Sequence, residues 1–354
     1  MLRRLARIPH ARLSMTSRSQ FPAAIAAARL AQTTAHLNGS SSGSSLNRVN
    51  ARMASTDASS SSAGVPKVEF REIKNITCFG AGLMGAGIAQ VTLCDITPQA
   101  LENGLKIIRT SLGRIAKKAY SDSPDQQNSF VEGVVSTITT TTDTQEAVKQ
   151  ADLVVEAIVE NLEVKRKLFS SLDIHAPAHC VFATNTSSLS VTEIADSTSE
   201  GRRAAFGGLH FFNPVPQMKL VEVIRTSATS DATNAALLDV CKRMQKTSVS
   251  CKDTPGFIVN RLLVPYMLEA VRMLERGDAS AEDIDTAMKL GAGYPMGPIQ
   301  LTDFVGLDTC QHIMTGWREK GALSSELVQP ISSLEEKVKE GKLGRKTGEG
   351  FFKY

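Results

Sequence analysis

A short glycine-rich segment constrains this chain more than any other feature of its sequence. Three glycines, Gly80, Gly82 and Gly85, directly follow the apolar run 76–79, which predicts a β-strand. Glycines at this spacing permit a tight turn, let a pyrophosphate approach the backbone, and begin a helix whose N-terminus attracts negative charge. The segment therefore predicts a Rossmann-type domain that binds a dinucleotide. The predicted cofactor contacts in this segment are Gly80, Ala81, Gly82, Leu83, Met84 and Gly85.

An acidic residue at the end of the next apolar run indicates which dinucleotide binds. Asp95 follows the run 91–94, where a carboxylate can accept hydrogen bonds from both hydroxyls of the adenine ribose. That charge would repel a 2′-phosphate, so the predicted cofactor is NAD rather than NADP. The alternative interpretation is an ordinary aspartate at the end of a strand.

The connection between these two predicted strands is short. Asp95 lies 15 residues after Gly80, whereas the motif places its acidic residue about 20 residues on. A helix that returns along a strand of about 16 Å needs about 11 residues, and only five separate Gly85 from Val91. The spacing indicates an apparent deletion of about eight residues after Gln90, which is typical of an alternative transcript or a misassigned exon boundary.

Strand and helix patterns alternate from residue 74 to about residue 225. Alternation of this kind predicts a mostly parallel sheet with helices on both faces. The predicted strands are 76–79, 91–94, 153–159, 181–184, 206–211 and 220–224. The predicted helices are 98–119, 143–149, 161–173 and 190–196, and 126–134 would join the first of them in a helical excursion.

A second domain is predicted to follow a boundary at 251–255, because only helical patterns occur beyond it. The predicted fold is thus an α/β Rossmann-type domain over residues 72–252, followed by an all-α C-terminal domain over 253–354. The segment 256–275, which includes Asn260, is apolar on nearly all faces, so it is predicted to be a helix buried on most faces, either in the core of that domain or at a subunit interface. The interface is favoured, which predicts a homodimer.

The N-terminal segment has the composition of a targeting peptide. Its first 56 residues contain eight arginines and no lysine, aspartate or glutamate. Arginine-rich, acid-poor and serine-rich segments are typical of organellar presequences. Residues 1–71 are therefore predicted to be a targeting peptide and a disordered linker, and the mature protein is predicted to lie in the mitochondrial matrix. A chloroplast peptide and a plain disordered tail are the alternatives.

Composition argues against several other classes of function. The formal net charge is +4, but without the eight N-terminal arginines the chain carries 32 basic and 36 acidic residues, which does not favour nucleic acid as a partner. The six cysteines show neither paired C-x-x-C spacing nor zinc-ligand spacing, so reduced thiols and no metal are predicted. No apolar run is long enough to predict a membrane span.

Six motifs in matching order make the sequence resemble the L-3-hydroxyacyl-CoA dehydrogenases, and in particular their mitochondrial short- to medium-chain members. The resemblance covers residues 72–354 and implies an acyl-CoA substrate. The motifs occupy 80–87, 156–161, 185–188, 210–216, 252–261 and 291–298.

A buried acid and a histidine form the predicted catalytic pair. Glu222 stands inside the apolar run 220–224, where a carboxylate needs a hydrogen-bonding partner. His210, which follows the run 206–209, is the inferred partner. Glu222 would fix the imidazole tautomer and stabilise its cation, while His210 takes the proton of the substrate hydroxyl. The alternative is a structural histidine in the core.

The resemblance implies further site residues. Ser187 and Asn260 would act with the catalytic pair, at the reacting oxygen and the acyl-CoA. For Glu160 and Lys165, a solvated pair at a helix start is the alternative. The implied cofactor contacts are Glu160, Lys165, Ser187, Asn213 and Lys346, and the implied CoA contacts are Ser111, Lys118 and Ser187.

The resemblance implies oxidation of L-3-hydroxyacyl-CoA to 3-ketoacyl-CoA with reduction of NAD⁺, in fatty-acid β-oxidation. One alternative is a 3-hydroxybutyryl-CoA dehydrogenase that works in the reductive direction. The other is an impaired or inactive variant that serves only as a binding or interaction protein, and the short connection before Asp95 motivates it.

Overall fold

A computed structural model describes residues 72–81 and 92–354 of the chain. The predicted targeting segment 1–71 lies outside the described residues. So do Gly82, Leu83, Met84, Gly85 and Gln90, and with them the predicted deletion site.

Eight strands of the described residues form one sheet in the order β3-β2-β1-β4-β5-β6-β7-β8. All neighbouring strands are parallel except β6 and β7, which are antiparallel. Strands β2 and β3 are added on one side of β1, and β4 and the later strands on the other side, so the strand order reverses between β1 and β4. Rossmann-type sheets open a crevice for a ligand at such a point. The strands are β1 (Ile76–Phe79), β2 (Thr92–Cys94), β3 (Thr139–Thr141), β4 (Leu153–Glu156), β5 (Val181–Thr184), β6 (Phe206–Phe211), β7 (Leu220–Arg225) and β8 (Thr247–Lys252).

Helices cover both faces of the sheet. In β4, Leu153 and Val155 pack into one apolar cluster and Val154 into the other, because successive strand residues point to opposite faces. The helices of this domain are α1 (Pro98–Ala119), α2 (Pro124–Val135), α3 (Thr144–Val148), α4 (Leu162–His175), α5 (Val191–Ala195), α6 (Glu200–Arg203) and α7 (Asp231–Arg243).

Side-chain caps begin the two helices nearest the carboxyl ends of β4 and β5. The Asn161 side chain accepts a hydrogen bond from the Val164 N–H at 3.1 Å, which caps α4. At α5 the Asp253 carboxylate accepts the N–H groups of Val191 and Thr192, so the end of β8 is tied to that helix start. These caps hold the starts of α4 and α5, and with them the ends of the loops that follow β4 and β5.

The C-terminal domain is helical and has its own apolar core. Asp303 is buried and accepts the N–H groups of Phe351 and Phe352, which holds the C-terminal segment against α10. The helices are α8 (Val259–Glu275), α9 (Ala281–Gly291), α10 (Pro298–Val305), α11 (Leu307–Glu319) and α12 (Ser332–Lys339), with 3₁₀ turns at Ser325–Val328 and Arg345–Thr347. The predicted fold class, a Rossmann-type domain followed by an all-α domain, is confirmed.

Two predicted elements differ from the structure by three residues at one end, which is more than the other predicted elements differ. The strand predicted over 153–159 ends at Glu156, because its carboxylate accepts the Ile158 N–H at 2.7 Å and closes a turn. The helix predicted from residue 256 begins at Val259, since Gly256 and Phe257 have positive φ values. That helix is not buried on nearly all faces, because Leu262 is 70% exposed.

None of the helices in the described part of the chain has the length and apolar character that crossing a membrane requires. The same residues contain no group of three or more histidine, cysteine, aspartate or glutamate side chains arranged to hold a metal ion.

Candidate active site

His210 and Glu222 lie directly opposite each other on the antiparallel strands β6 and β7. Side chains opposite one another in such a pair point to the same face of the sheet and meet. His210 Nδ1 is 2.6 Å from Glu222 Oε2, and the two residues are 3% and 0% exposed. The contact inferred from the sequence is therefore confirmed, and the pair is shielded from water.

The Glu222 carboxylate is surrounded by hydrogen-bond donors. Its Oε1 accepts the N–H groups of Ile258 and Val259 at 3.0 and 2.8 Å, at the start of α8. Burial alone would raise the pKa of Glu222, but the bonds from His210, Val259 and Ile258 hold that pKa below its ordinary value. The group is therefore a carboxylate at neutral pH, and the proton of the short contact belongs to Nδ1 of His210.

This tautomer leaves Nε2 of His210 as the basic atom. Ser187 Oγ lies 3.1 Å from Nε2 and donates to it, because the Nε2 of a neutral imidazole with a protonated Nδ1 can only accept. The ring also packs against Phe212 and Phe257, with ring centres 4.6 and 5.5 Å apart. The imidazole is thus oriented on both sides, with its base facing the exposed residue Ser187.

Asn260 approaches the same point from the C-terminal domain. Its Nδ2 donates to the carbonyl oxygen of Ser187 at 3.4 Å. The sequence placed Asn260 inside a buried helix, whereas the structure leaves it half-buried in the first turn of α8. Four residues predicted to act together, from both domains, are therefore brought into one contact group: His210, Glu222, Ser187 and Asn260.

Glu160 holds the loop that carries Ser187. Its Oε1 accepts the Thr186 hydroxyl at 2.6 Å and the N–H groups of Ser187 and Ser188 at 2.9 and 3.0 Å. Burial alone would raise the pKa of Glu160, but the Thr186 hydroxyl, the charge of Lys165 and these N–H groups hold that pKa below its ordinary value. Glu160 therefore supports the site as a fixed negative charge.

Lys165 is enclosed rather than solvated. It is 1% exposed, and its ammonium lies 2.5 Å from Glu156 Oε1 and 3.3 Å from Glu160 Oε2. The alternative of a solvated pair at a helix start is therefore wrong for Lys165. Direct contact of Lys165 with a cofactor stays a prediction.

The described part of the glycine-rich segment fits a dinucleotide. Gly80 has φ +100°, and a side chain there would meet the Ala157 carbonyl oxygen at 2.6 Å, so only glycine leaves this backbone open. Asp95 follows β2 beside it, and its Oδ2 accepts the Ala81 N–H at 2.5 Å. A glycine turn and an acid thus meet at the crevice where the sheet changes direction, as NAD requires.

The remaining predicted contacts lie at separate places. Asn213 follows β6 and precedes a cis bond to Pro214. Lys346 lies in the C-terminal domain, where its ammonium pairs with both carboxylate oxygens of Asp308 at 2.5 and 2.7 Å. Ser111 and Lys118 lie on α1, half-buried and exposed respectively. Their contacts with cofactor or CoA stay predictions.

Two residues that contact the site, Glu156 and Asn185, were not predicted from the sequence as site residues. Glu156 is fully buried at the end of β4, and Asn185 accepts the Phe211 N–H at 2.8 Å next to His210. An acid inside an apolar run is the signal that identifies Glu222, and Glu156 inside the predicted strand 153–159 carries the same signal. Asn185 carries no such signal, because an asparagine after a strand is ordinary turn chemistry.

Comparison with known proteins gives one consistent result. The chain is 56% identical over 290 residues to a rat protein named hydroxyacyl-coenzyme A dehydrogenase, mitochondrial, which covers 80% of this chain and 91% of the relative. It is 54% identical over 307 residues to the human protein of that name, covering 84% of this chain and 96% of the relative.

A solved structure supports the same relationship. The crystal structure of an (S)-3-hydroxybutyryl-CoA dehydrogenase from Ralstonia eutropha superposes with a TM-score of 0.74 at 38% identity, covering 80% of this chain and 99% of that one. The family described as 3-hydroxyacyl-CoA dehydrogenase matches in both parts, its NAD binding domain over residues 75–254 and its C-terminal domain over residues 256–354. This chain therefore belongs to the 3-hydroxyacyl-CoA dehydrogenase family.

Proposed function

We propose that the protein oxidises L-3-hydroxyacyl-CoA to 3-ketoacyl-CoA with NAD⁺ as the acceptor. The observation that carries this proposal is the 2.6 Å contact of His210 Nδ1 with the buried Glu222 carboxylate, which leaves Nε2 as an oriented base. Family membership and the glycine turn at Gly80 support the same reaction.

His210 and Glu222 handle the proton of the substrate hydroxyl. Nε2 of His210 takes that proton while the C–H bond at the same carbon is broken. The imidazole then carries a positive charge, which the Glu222 carboxylate stabilises across a bond from which water is excluded. Ser187 Oγ marks a point 3.1 Å from Nε2 where a substrate oxygen can take up the same hydrogen bond.

NAD supplies the hydride acceptor when it is bound. In this chain Gly80 and Ala81 would face the pyrophosphate, and Asp95 would accept the ribose hydroxyls. Glu160 and Ser187 lie at the carboxyl ends of β4 and β5, at the same edge of the sheet as Gly80, so the cofactor would extend from Asp95 towards His210.

We expect NADH to bind at least about tenfold more tightly than NADPH. A carboxylate about 4 Å from a like charge costs about 4 kcal/mol at an effective dielectric constant of 20, and tenfold in affinity requires only about 1.4 kcal/mol. Asp95→Asn should remove most of the discrimination while retaining the side-chain shape. Fluorescence titration of both nucleotides measures the ratio, and equal affinities in the unchanged protein would contradict the role of Asp95.

Two alternatives were open from the sequence, a dehydrogenase that works in the reductive direction and an inactive binding protein. The reductive reaction uses the same residues, so the concentrations of substrate, product, NAD⁺ and NADH relative to the equilibrium constant, rather than the site, decide its direction. An inactive binding protein is not favoured, because the family match covers both domains and relatives above 50% identity are named as dehydrogenases.

We propose import into the mitochondrial matrix, with residues 1–71 as targeting peptide and linker. The acid-free N-terminal composition supports this location, and the named relatives are mitochondrial. Import would place the protein where fatty-acid β-oxidation supplies its substrates. A reporter fused to residues 1–60 should enter mitochondria, and a cytosolic reporter would contradict the proposal.

We infer a homodimer formed through the C-terminal domain. Large apolar side chains on its helices are exposed, with Leu262 on α8, Leu290 at the end of α9 and Phe304 on α10 among them. Exposed apolar surface of this kind favours an interface. Sedimentation at micromolar concentration should give the mass of two chains, whereas a monomer at that concentration would contradict the inference.

A further inference from the structure

A buried acid with no part in the reaction described above lies behind the Ser187 loop. Glu156 ends β4 and is completely buried, and its Oε1 is 2.5 Å from the ammonium of Lys165. Taking two charges out of water is costly, so a buried ion pair is weak evidence for a stabilising role. The contacts of the Glu156–Lys165 pair indicate instead which residues the pair holds in position.

Three donors fix the Glu156 carboxylate. Oε1 accepts the Ile158 N–H at 2.7 Å in addition to the Lys165 ammonium, and Oε2 accepts the Thr184 hydroxyl at 2.6 Å. Thr184 lies directly opposite Glu156 on β5, so the carboxylate is anchored to the sheet itself. The Glu156 carboxylate is therefore held in place, and its ion pair with Lys165 fixes the position of the Lys165 ammonium.

Lys165 transfers that position to the loop after β5. Its ammonium lies 3.3 Å from Glu160 Oε2, and Glu160 Oε1 accepts the N–H groups of Ser187 and Ser188. The contact with Glu156 is the shorter of its two ion pairs, so Glu156 determines how closely Lys165 approaches Glu160. Ser187 in turn places its hydroxyl 3.1 Å from His210 Nε2.

We propose that Glu156 is a positioning residue for the dehydrogenase reaction: through Lys165 and Glu160 it sets the place of Ser187 against the catalytic base. This inference rests on the proposed function. Without the charge on Glu156, Glu160 would be the one carboxylate still paired with Lys165, whose ammonium also donates to the Ile158 carbonyl oxygen at 3.5 Å. The ammonium would close its 3.3 Å gap to Glu160, since ammonium–carboxylate bonds settle near 2.8 Å. Glu160 would then pull on the backbone that carries Ser187.

A shift of this size is enough to affect turnover. Misplacing a reacting group by about 1 Å costs up to about 10²-fold in rate, and the expected movement is about half of that. Glu156→Gln should therefore lower kcat by about tenfold. Asp152→Asn is the matched control, because Asp152 is also a buried acid at the other end of β4, where it accepts the N–H groups of Lys74 and Asn75. Its kcat should stay within about twofold.

A double-mutant cycle separates positioning from general damage to the fold. In a Ser187→Ala background there is no hydroxyl left to position, so Glu156→Gln should then cost less than about twofold. If the tenfold loss persists in that background, or if Glu156→Gln alone leaves kcat unchanged, the proposal is overturned. Circular dichroism shows whether the variant folds. If it does not, Glu156→Asp, which keeps both buried charges and withdraws the carboxylate by one methylene, replaces it in the same cycle.

A readout without turnover keeps this inference separate from the proposed function. The ¹⁵N resonance of His210 Nε2 reports the hydrogen bond from Ser187, so Glu156→Gln should move it in the direction in which Ser187→Ala moves it. An unmoved resonance would overturn the positioning role even in an active enzyme. If the protein shows no dehydrogenase activity, only the proposed function fails. The resonance still tests the positioning role of Glu156 in that case.

Discussion

Replacing His210 with glutamine is expected to lower kcat by at least about 100-fold, the loss typical for a missing general base. Glutamine keeps a polar side chain of similar length opposite Glu222, but its amide cannot take a proton at neutral pH. The fall in kcat is measured by NADH absorbance with acetoacetyl-CoA as substrate. The dissociation constant of NADH, measured by fluorescence, should change by less than about threefold, because His210 is assigned to the proton and not to the cofactor.

His179 offers a matched control for this substitution. It is a histidine of the same domain that also contacts a carboxylate, with Nε2 3.1 Å from Asp152 Oδ1. His179→Gln should leave kcat within about twofold. Near-normal turnover in the His210 variant, or an equal loss in both variants, would show that His210 is not the base.

Glu222→Gln is expected to have the second largest effect, again at least about 100-fold in kcat. The Glu222 carboxylate accepts from three N–H groups, those of His210, Ile258 and Val259. An amide has only one acceptor oxygen, so its NH₂ group must face a donor on one side. If it faces the imidazole, the proton moves to Nε2 and the base is lost, as when the orienting acid of a serine protease triad is amidated at a cost of about 10⁴.

The other orientation of the amide leaves the start of α8 without its acceptor. Unpaired buried N–H groups cost about 1–3 kcal/mol, so denaturant unfolding should also detect a loss of stability. Asp285→Asn is the control, because that carboxylate likewise accepts two backbone N–H groups, those of Ile299 and Gln300. The control should lose stability and keep its kcat within about threefold. A Glu222 variant that loses stability but not kcat would refute the orienting role.

Much of the fold was predictable because its strongest signals are local. The strands β1, β5 and β6 have the predicted bounds, since each is a short apolar run that is buried on both faces. The strands β3 and β8 were not predicted. Thr139–Thr141 is partly exposed at the sheet edge, and Thr247–Lys252 is largely polar, so neither gives an apolar pattern.

The site was predictable in part for the same reason. A charged residue inside an apolar run must have a partner, and this argument led from Glu222 to His210. Which atoms meet depends on the register of β6 and β7, and that register is not written in either run alone. The exposure of Asn260 could not be predicted from the apolar pattern. The two positive φ values before α8 make the helix begin later than the pattern indicates, and the Asn260 side chain is half-buried.

The connection from β1 to β2 bears most directly on whether this chain binds NAD. Ten residues, 82–91, join Ala81 to Thr92, which pairs with Thr77. These ten residues, and with them the deletion predicted after Gln90, lie outside the described residues. With β1 and β2 paired and Asp95 beside Ala81, the described residues on both sides are in place for NAD.

The most direct test is NADH formation by the full chain with L-3-hydroxybutyryl-CoA and NAD⁺, beside a copy with eight helix-forming residues inserted after Gln90. We expect NADH formation by the chain as it stands, with L-3-hydroxybutyryl-CoA and not its D isomer, and loss of that activity in the His210→Gln variant. NADH formation by the extended copy alone would contradict the account, because the present chain would then be the impaired variant.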